Sequence, residues 1–258
     1  MDAQPRLLVS VRNLEEARDA IAGGAEIIDL KEPDAGSLGM ADRSSIQAVI
    51  QWKNSKRIDV PVSAALGELS EWDHRDYELI PEGLDYVKVG LAREDPFSFG
   101  QRLMDLRAQV ASTQTNPPRW VTVAYADSRA ACSPSVDDIA RFAISSNSAG
   151  LLVDTYHKTG VPLTEIMSVD QLADLGSMLN QHGLFFAIAG QIQPNNVSDC
   201  LNVIRPQIIA VRSAACRHGD RTQPVSRSAV ESLKRVLDSG QANQPTSLET
   251  SSTPTNKS

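Results

Sequence analysis

Residues 7–31 read LLVSVRNLEEARDAIAGGAEIIDLK, and their pattern decides the fold. The opening run, 7–11, is apolar apart from Ser10, as a strand buried on both faces requires. Asn13 stands where a helix N-cap belongs, with Glu16 three residues on at the acid position of a capping box. Leu14, Ala17 and Ile21 recur at i, i+3 and i+7 along one helical face. Gly23-Gly24 supplies the stop, and a second strand-like run, 26–31, follows at once. A strand, a helix and a strand in this order predict parallel neighbours joined by a covering helix.

The same unit recurs along the chain. Further strands are expected at 61–66, 85–89, 120–124, 150–154, 184–189 and 208–212. Helical segments are expected at 45–52, 97–110, 136–145, from Ser168 onward, briefly after Asn195, and at 228–237. Ser168 and Gln171 repeat the capping-box spacing, whereas the stretch through Trp72 and Tyr77 is poorly periodic. Eight strands alternating with helices predict an α/β fold, a parallel (β/α)8 TIM barrel, and 258 residues suit that architecture. An open doubly wound sheet is the alternative, but no G-x-G-x-x-G follows the first strand. The barrel is expected to span residues 1–239. Residues 240–258, rich in Ser, Thr and Pro with a single leucine, are expected to form a disordered tail.

Composition narrows the function classes. A formal net charge of −7 argues against a nucleic-acid partner, which would demand a basic stripe. No apolar run reaches the roughly 18 residues of a membrane span, so no membrane association is expected. The start, MDAQPRLLVSV, lacks a basic region before a long apolar stretch, and a cytoplasmic location is expected. Cys132, Cys200 and Cys216 form no C-x-x-C, and Cys216 with His218 is too small a set to predict a metal site. Barrels often associate through their helical exteriors, so a homo-oligomer is expected.

Barrel active sites lie at the carboxyl ends of the strands, and lysine placement points there. Only seven of the 25 basic residues are lysines, and four of them, Lys53, Lys56, Lys234 and Lys257, fall on helices, a loop or the tail. The other three sit on or just after strands: Lys31 ends Ile-Ile-Asp-Leu-Lys, Lys88 lies inside Tyr-Val-Lys-Val-Gly, and Lys158 follows Leu-Leu-Val-Asp by four residues. Asp29 and Lys31, two apart on a strand, share a face. Near the barrel mouth the pair is sheltered, and desolvation with a neighbouring cation such as Lys88 lowers a lysine's pKa toward that of a nucleophile. Asp29 is placed to orient the amine or move protons, and Asp154 with Lys158 forms a second acid–lysine pair. The plain alternative is a set of internal salt bridges, with Lys158 exposed on its loop.

For a phosphate, the loops after strands seven and eight are the expected place. Gly190 and Gln191 occupy the first, Arg212 and Ser213 the second. Glycine lets backbone amides approach an anion, serine adds a hydroxyl and arginine a fixed cation. The competing readings are a plain turn at Gly190 and an acid partner for Arg212. Asp127 and Arg129 admit two readings as well, substrate contacts or a local salt bridge.

These residues sit in segments that closely resemble one family, (5-formylfuran-3-yl)methyl phosphate synthase, also called 4-(hydroxymethyl)-2-furancarboxaldehyde-phosphate synthase. The segments are LLVSVRNLEEARDAIAGGAEIIDLKEPDAGSLG, DYVKVGL, AYAD, LLVDTYHKTG, FAIAGQI and AVRSAACRHGDR, in order from residue 7 to 221. The resemblance implies a barrel lyase that joins two glyceraldehyde 3-phosphate molecules into a phosphorylated furan aldehyde, an early step toward methanofuran-type one-carbon carriers. It implies that Lys31 forms the Schiff base and that Lys88 transfers protons, with Asp29, Asp154 and Lys158 at active-site positions. No metal or redox cofactor is implied, the covalent imine on Lys31 serving instead. The chain departs from the archaeal pattern at Ser213, where a glycine is usual, and at Gln191, where a serine is usual. Two other functions are compatible with the residues: a class I aldolase-like Schiff-base enzyme on a triose phosphate, and a non-catalytic phosphosugar-binding barrel.

Overall fold

Each apolar run forms a strand, and the strands pair in parallel and in chain order until the eighth meets the first and closes a barrel. The structure is a computed structural model and describes residues 4–193, 197 and 200–239. The strands are β1 (Arg6–Val11), β2 (Ile27–Leu30), β3 (Val62–Glu68), β4 (Tyr86–Gly90), β5 (Arg119–Tyr125), β6 (Gly150–Asp154), β7 (Phe185–Ile188) and β8 (Ile208–Val211). Helices Leu14–Ala22, Arg43–Lys56, Phe99–Thr113, Val136–Ser145, Val169–Gln181 and Arg227–Ser239 cover its outside.

Two apolar cores explain why the strands read as continuous runs. Leu7, Val9, Val11, Ile28, Leu30, Val87, Val89 and Val153 face outward and pack in one cluster with helix residues such as Ala17, Ile46 and Leu103. The alternate residues, among them Leu8, Ile27, Val121, Leu152, Ala187 and Ala210, form a second cluster inside the barrel. Strands buried on both sides lose the polar alternation of a half-exposed sheet.

The barrel interior is incompletely filled. Bulky branched side chains usually pack this space, whereas Ser10, Ser63, Ala187, Ala189 and Ala210 leave a cavity of about 900 Å³, counting the open solvent at its mouth. It is lined from Lys31 and Lys158 down to Tyr86 and Phe185, the first residues of β4 and β7. Those two rings meet edge to face, centroids 5.8 Å apart, and the Arg119 guanidinium lies 5.3 Å from the Tyr86 ring centre. The barrel is therefore stoppered at its amino-terminal end.

Several local features refine the expectation. Asn13 caps its helix by accepting from the Glu16 amide at 3.1 Å, but Glu16 does not complete a capping box. Its carboxylate takes the Arg12 amide at 2.9 Å and pairs with Arg212. The box at Ser168 and Gln171 does form. The aperiodic stretch after β3 becomes two 3-10 turns, Leu69–Asp73 and Tyr77–Leu79. A short helix, Ser128–Ala131, precedes the expected one after β5. The helix expected after Asn195 falls partly outside the described residues; within them Cys200–Ile204 forms a π-helical turn. The expected tail, 240–258, also lies outside the described residues. Among the described residues no helix is long and apolar enough to cross a membrane.

Candidate active site

Register brings the lysines together. Ser10 pairs with Asp29 across β1 and β2, Asp29 with Ser63 across β2 and β3, and Ala65 with Lys88 across β3 and β4. All of these except Ala65 line the cavity, as do Lys31, Asp154 and Lys158. At the barrel's heart, Lys88 forms a salt bridge with Asp29, both side chains almost fully buried. Asp29 also accepts from the Ser10 hydroxyl at 3.1 Å, and Lys88 donates to the Ser63 hydroxyl at 3.4 Å. The pair and its two serine partners come from four adjacent strands, β1 to β4, so neither group has freedom to turn away.

A second pair sits nearer the mouth. Lys158 folds back from its loop onto Asp154 at 2.7 Å and reaches the Thr155 hydroxyl at 3.2 Å. The lysine is 15% exposed, so the exposed-loop reading of Lys158 does not hold. The loop is placed by Asp127, whose carboxylate accepts the Tyr156 amide at 2.6 Å and the His157 amide at 2.9 Å. Asp127 is thus a backbone anchor beside the site. Burial pushes the Asp154 carboxyl up, but Lys158 and Lys31 outweigh it and hold the group below the usual aspartate range.

Lys31 lies between the two pairs, 7% exposed. Its amine donates to the Ser37 carbonyl at 3.3 Å, whereas Asp29 and Asp154 each form their ion pair with another lysine. Its pKa is lowered to about 8, chiefly by burial. Asp154 opposes the shift, Lys158 adds to it, and Asp29 and Lys88 act more weakly in opposite directions. Lys88 is the cation the sequence offers to repel the amine; in the structure Lys158 is the stronger influence. A lysine with a pKa near 8 offers a sizeable neutral fraction at physiological pH, as nucleophilic attack on a carbonyl needs.

The expected phosphate residues Gly190, Gln191, Arg212 and Ser213 all line the same cavity. Gly190 adopts φ +94°, and a β-carbon there would lie 2.8 Å from the Thr155 methyl, so glycine is required by both conformation and space. Gln191 donates its side-chain amide to the Val161 carbonyl at 2.9 Å, tying the β6 and β7 loops together. Arg212 corrects the phosphate reading. Its five N–H donors are all engaged within the protein: Nε with the Arg221 carbonyl, Nη1 with Glu16 and the Ser10 carbonyl, Nη2 with Glu16 and the Gln223 carbonyl. Glu16 is its partner, and both side chains are buried. Arg212 therefore braces the ends of β1 and β8 and has no donor left for an anion.

Two residues at the site escaped the sequence reading. Ser37 covers the Lys31 amine with its carbonyl, and its hydroxyl bonds the Thr155 carbonyl at 3.0 Å. Arg221 enters the cavity wall from the segment after β8. Three ammonium groups and this guanidinium outnumber the two carboxylates, giving the cavity a positive excess on an otherwise acidic protein.

The sequence pattern of the family described as 4-HFC-P synthase matches residues 7–234. The chain is 32% identical over 238 residues to (5-formylfuran-3-yl)methyl phosphate synthase of Methanothermobacter thermautotrophicus, covering 90% of this chain and 99% of that one. It is 31% identical over 236 residues to the synthase of Methanocaldococcus jannaschii, covering 89% and 98%. Among solved structures, phosphoribosyl anthranilate isomerase from Thermotoga maritima matches with a TM-score of 0.60 at 14% identity, over 91% of this chain and 99% of that one. Thiamine phosphate pyrophosphorylase from Pyrococcus furiosus matches at 0.59 and 14% identity, over 93% and 98%. At such identities these structures share the barrel fold alone, whereas the sequence match identifies the chain as a member of the 4-HFC-P synthase family of enzymes.

Proposed function

We propose that this chain is a carbon–oxygen lyase that condenses two molecules of glyceraldehyde 3-phosphate into 4-(hydroxymethyl)-2-furancarboxaldehyde phosphate through a Schiff base on Lys31. The observation that supports this most is the Lys31 amine, buried, with its pKa lowered to about 8, beside two lysine–aspartate pairs. A neutral amine attacks the aldehyde of one triose and loses water, forming an imine. Its protonated form acidifies the adjacent carbon, from which a carboxylate of the Asp154–Lys158 or Asp29–Lys88 pair removes a proton. The electron pair left on carbon expels the phosphate or, in a triose tautomer, attacks the second aldehyde.

Ring closure by a hydroxyl, dehydration and release of Lys31 by water then give the furan. Atoms balance: two trioses supply six carbons, and one inorganic phosphate and two waters leave overall. Carbon undergoes no net oxidation, so the scheme calls for no redox partner. The positive excess of the cavity favours the anionic substrate and the departing phosphate.

Incubation of the purified chain with glyceraldehyde 3-phosphate alone, followed by mass and ultraviolet analysis, tests the proposal. The expected product has six carbons, one phosphate and strong near-ultraviolet absorption. A doubly phosphorylated aldol product would favour an aldolase and contradict the proposal. Ligand binding without turnover would contradict it too, in favour of a binding protein.

A further inference from the structure

A phosphate in this cavity needs a cation whose donors are not already engaged. Arg212 fails that requirement, with all five donors satisfied internally. Lys88 is bound to Asp29 and Lys158 to Asp154, while Lys31 is the proposed nucleophile. Arg221 differs from all of these. It lines the cavity and is half-buried. Among the described residues only its Nη2 finds partners, the carbonyls of Pro33 at 3.1 Å and Gly36 at 3.2 Å.

Its position is fixed from two sides. The Arg221 carbonyl accepts from Arg212 Nε at 3.0 Å, so the buried Glu16–Arg212 pair anchors the backbone that carries it. The charges that act on it are Asp154 and Asp34 in attraction and Arg212 and Arg12 in repulsion. Burial lowers its pKa despite Asp154, as expected for a guanidinium short of counter-charge. A dianionic phosphate supplies that charge, and a guanidinium edge matches two phosphate oxygens.

We propose that Arg221 is the cation that receives the phosphate of the triose whose aldehyde meets Lys31. Gly190 and Ser213 line the same cavity as Arg221. The inference rests on the Schiff-base reading and gives it a specificity element. Arg221 holds the carbonyls of Pro33 and Gly36, and the next residue, Ser37, accepts from the Lys31 amine. One loop thus braces cation and nucleophile at a set spacing, which selects an aldehyde carrying a phosphate over one without.

The test uses the full chain as wild type, Arg221→Gln and Arg221→Lys, with two readouts. Inorganic phosphate is titrated calorimetrically, and imine is trapped with cyanoborohydride using glyceraldehyde 3-phosphate or unphosphorylated glyceraldehyde. Arg221→Gln should weaken phosphate binding about ten- to a hundredfold, the range for a hydrogen bond to a charged group, with partial recovery in Arg221→Lys. Half-saturation of trapping should rise by a similar factor for the phosphorylated aldehyde and by much less for glyceraldehyde. Unchanged phosphate affinity in Arg221→Gln, or no phosphate binding by the wild type, overturns the proposal. Equal losses with both aldehydes overturn it as well, leaving Arg221 only a loop clamp. Arg221-dependent phosphate binding without an adduct from either aldehyde would uphold the anion site while sinking the Schiff-base reading.

Discussion

The Lys31 amine donates to the backbone carbonyl of Ser37 at 3.3 Å, so the loop that leaves β2 turns back over the lysine at its own start. The turn is closed by the Glu32 amide on the Gly39 carbonyl and by the Gly67 amide on the Leu38 carbonyl, each at 2.8 Å. Gly39 has no room for a side chain, because a β-carbon would collide with the Glu32 carbonyl. The Ser37 hydroxyl bonds the Thr155 carbonyl and ties this turn to the loop of Asp154. The result is a buried amine, and its pKa of about 8 follows from that burial.

Imine formation should therefore follow the neutral fraction of Lys31. The trapping rate at low substrate should rise about tenfold per pH unit below pH 8 and level off above it. Cyanoborohydride trapping followed by intact mass between pH 6 and 10 measures this. A rate still climbing through pH 10 would mean an amine with an ordinary lysine pKa.

Burying that amine costs stability. A lysine with a lowered folded-state pKa destabilises the fold fully below that value, and the cost fades as pH rises toward the unfolded value of 10.5. Lys31→Met should raise unfolding free energy near neutral pH by about 3 kcal/mol before packing losses, while abolishing trapping. The gap between variant and wild type should narrow between pH 8 and 10.5. Denaturant melts at pH 7 and pH 10 check the sign.

Lys88→Met leaves Asp29 buried without its cation. The remaining carboxylate acts on Lys31 alone, so the trapping profile should move to higher pH. Adduct formation should survive at raised pH, while furan product falls by about a hundredfold or more if Lys88 serves in proton transfer. Parallel trapping and product assays separate the two effects.

Removing one member of the Glu16–Arg212 pair strands a buried charge. Glu16→Gln or Arg212→Met should destabilise by about 3–5 kcal/mol, and the double variant Glu16→Met/Arg212→Met should recover part of it. A double-mutant cycle in urea measures the coupling. Additive losses would show that the pair is not the brace its geometry describes.

The barrel was legible because its strands are buried on both faces, which leaves apolar runs such as Leu151-Leu152-Val153 separated by capped helices. Asp29, Lys31, Lys88 and Asp154 stood out for the same reason, as charges interrupting those runs. What the sequence hid were partnerships across long separations. Glu16 fits a capping box three residues from Asn13, yet its carboxylate meets Arg212 only when the barrel closes. Arg212 looked like an anion ligand for want of that partner. Arg221 lies in an irregular segment bridged at Cys216 and Val225, where no periodicity marks the direction of a side chain. Ser37 acts largely through its backbone carbonyl, which any residue possesses.

The most direct measurement is peptide mass mapping after reduction of the chain in the presence of glyceraldehyde 3-phosphate. A reduced triose-phosphate adduct confined to the peptide bearing Lys31, and absent from Lys31→Ala, is the expected result. A stable adduct on Lys88 or Lys158 instead, or none on folded and active protein, would contradict Lys31 as the nucleophile.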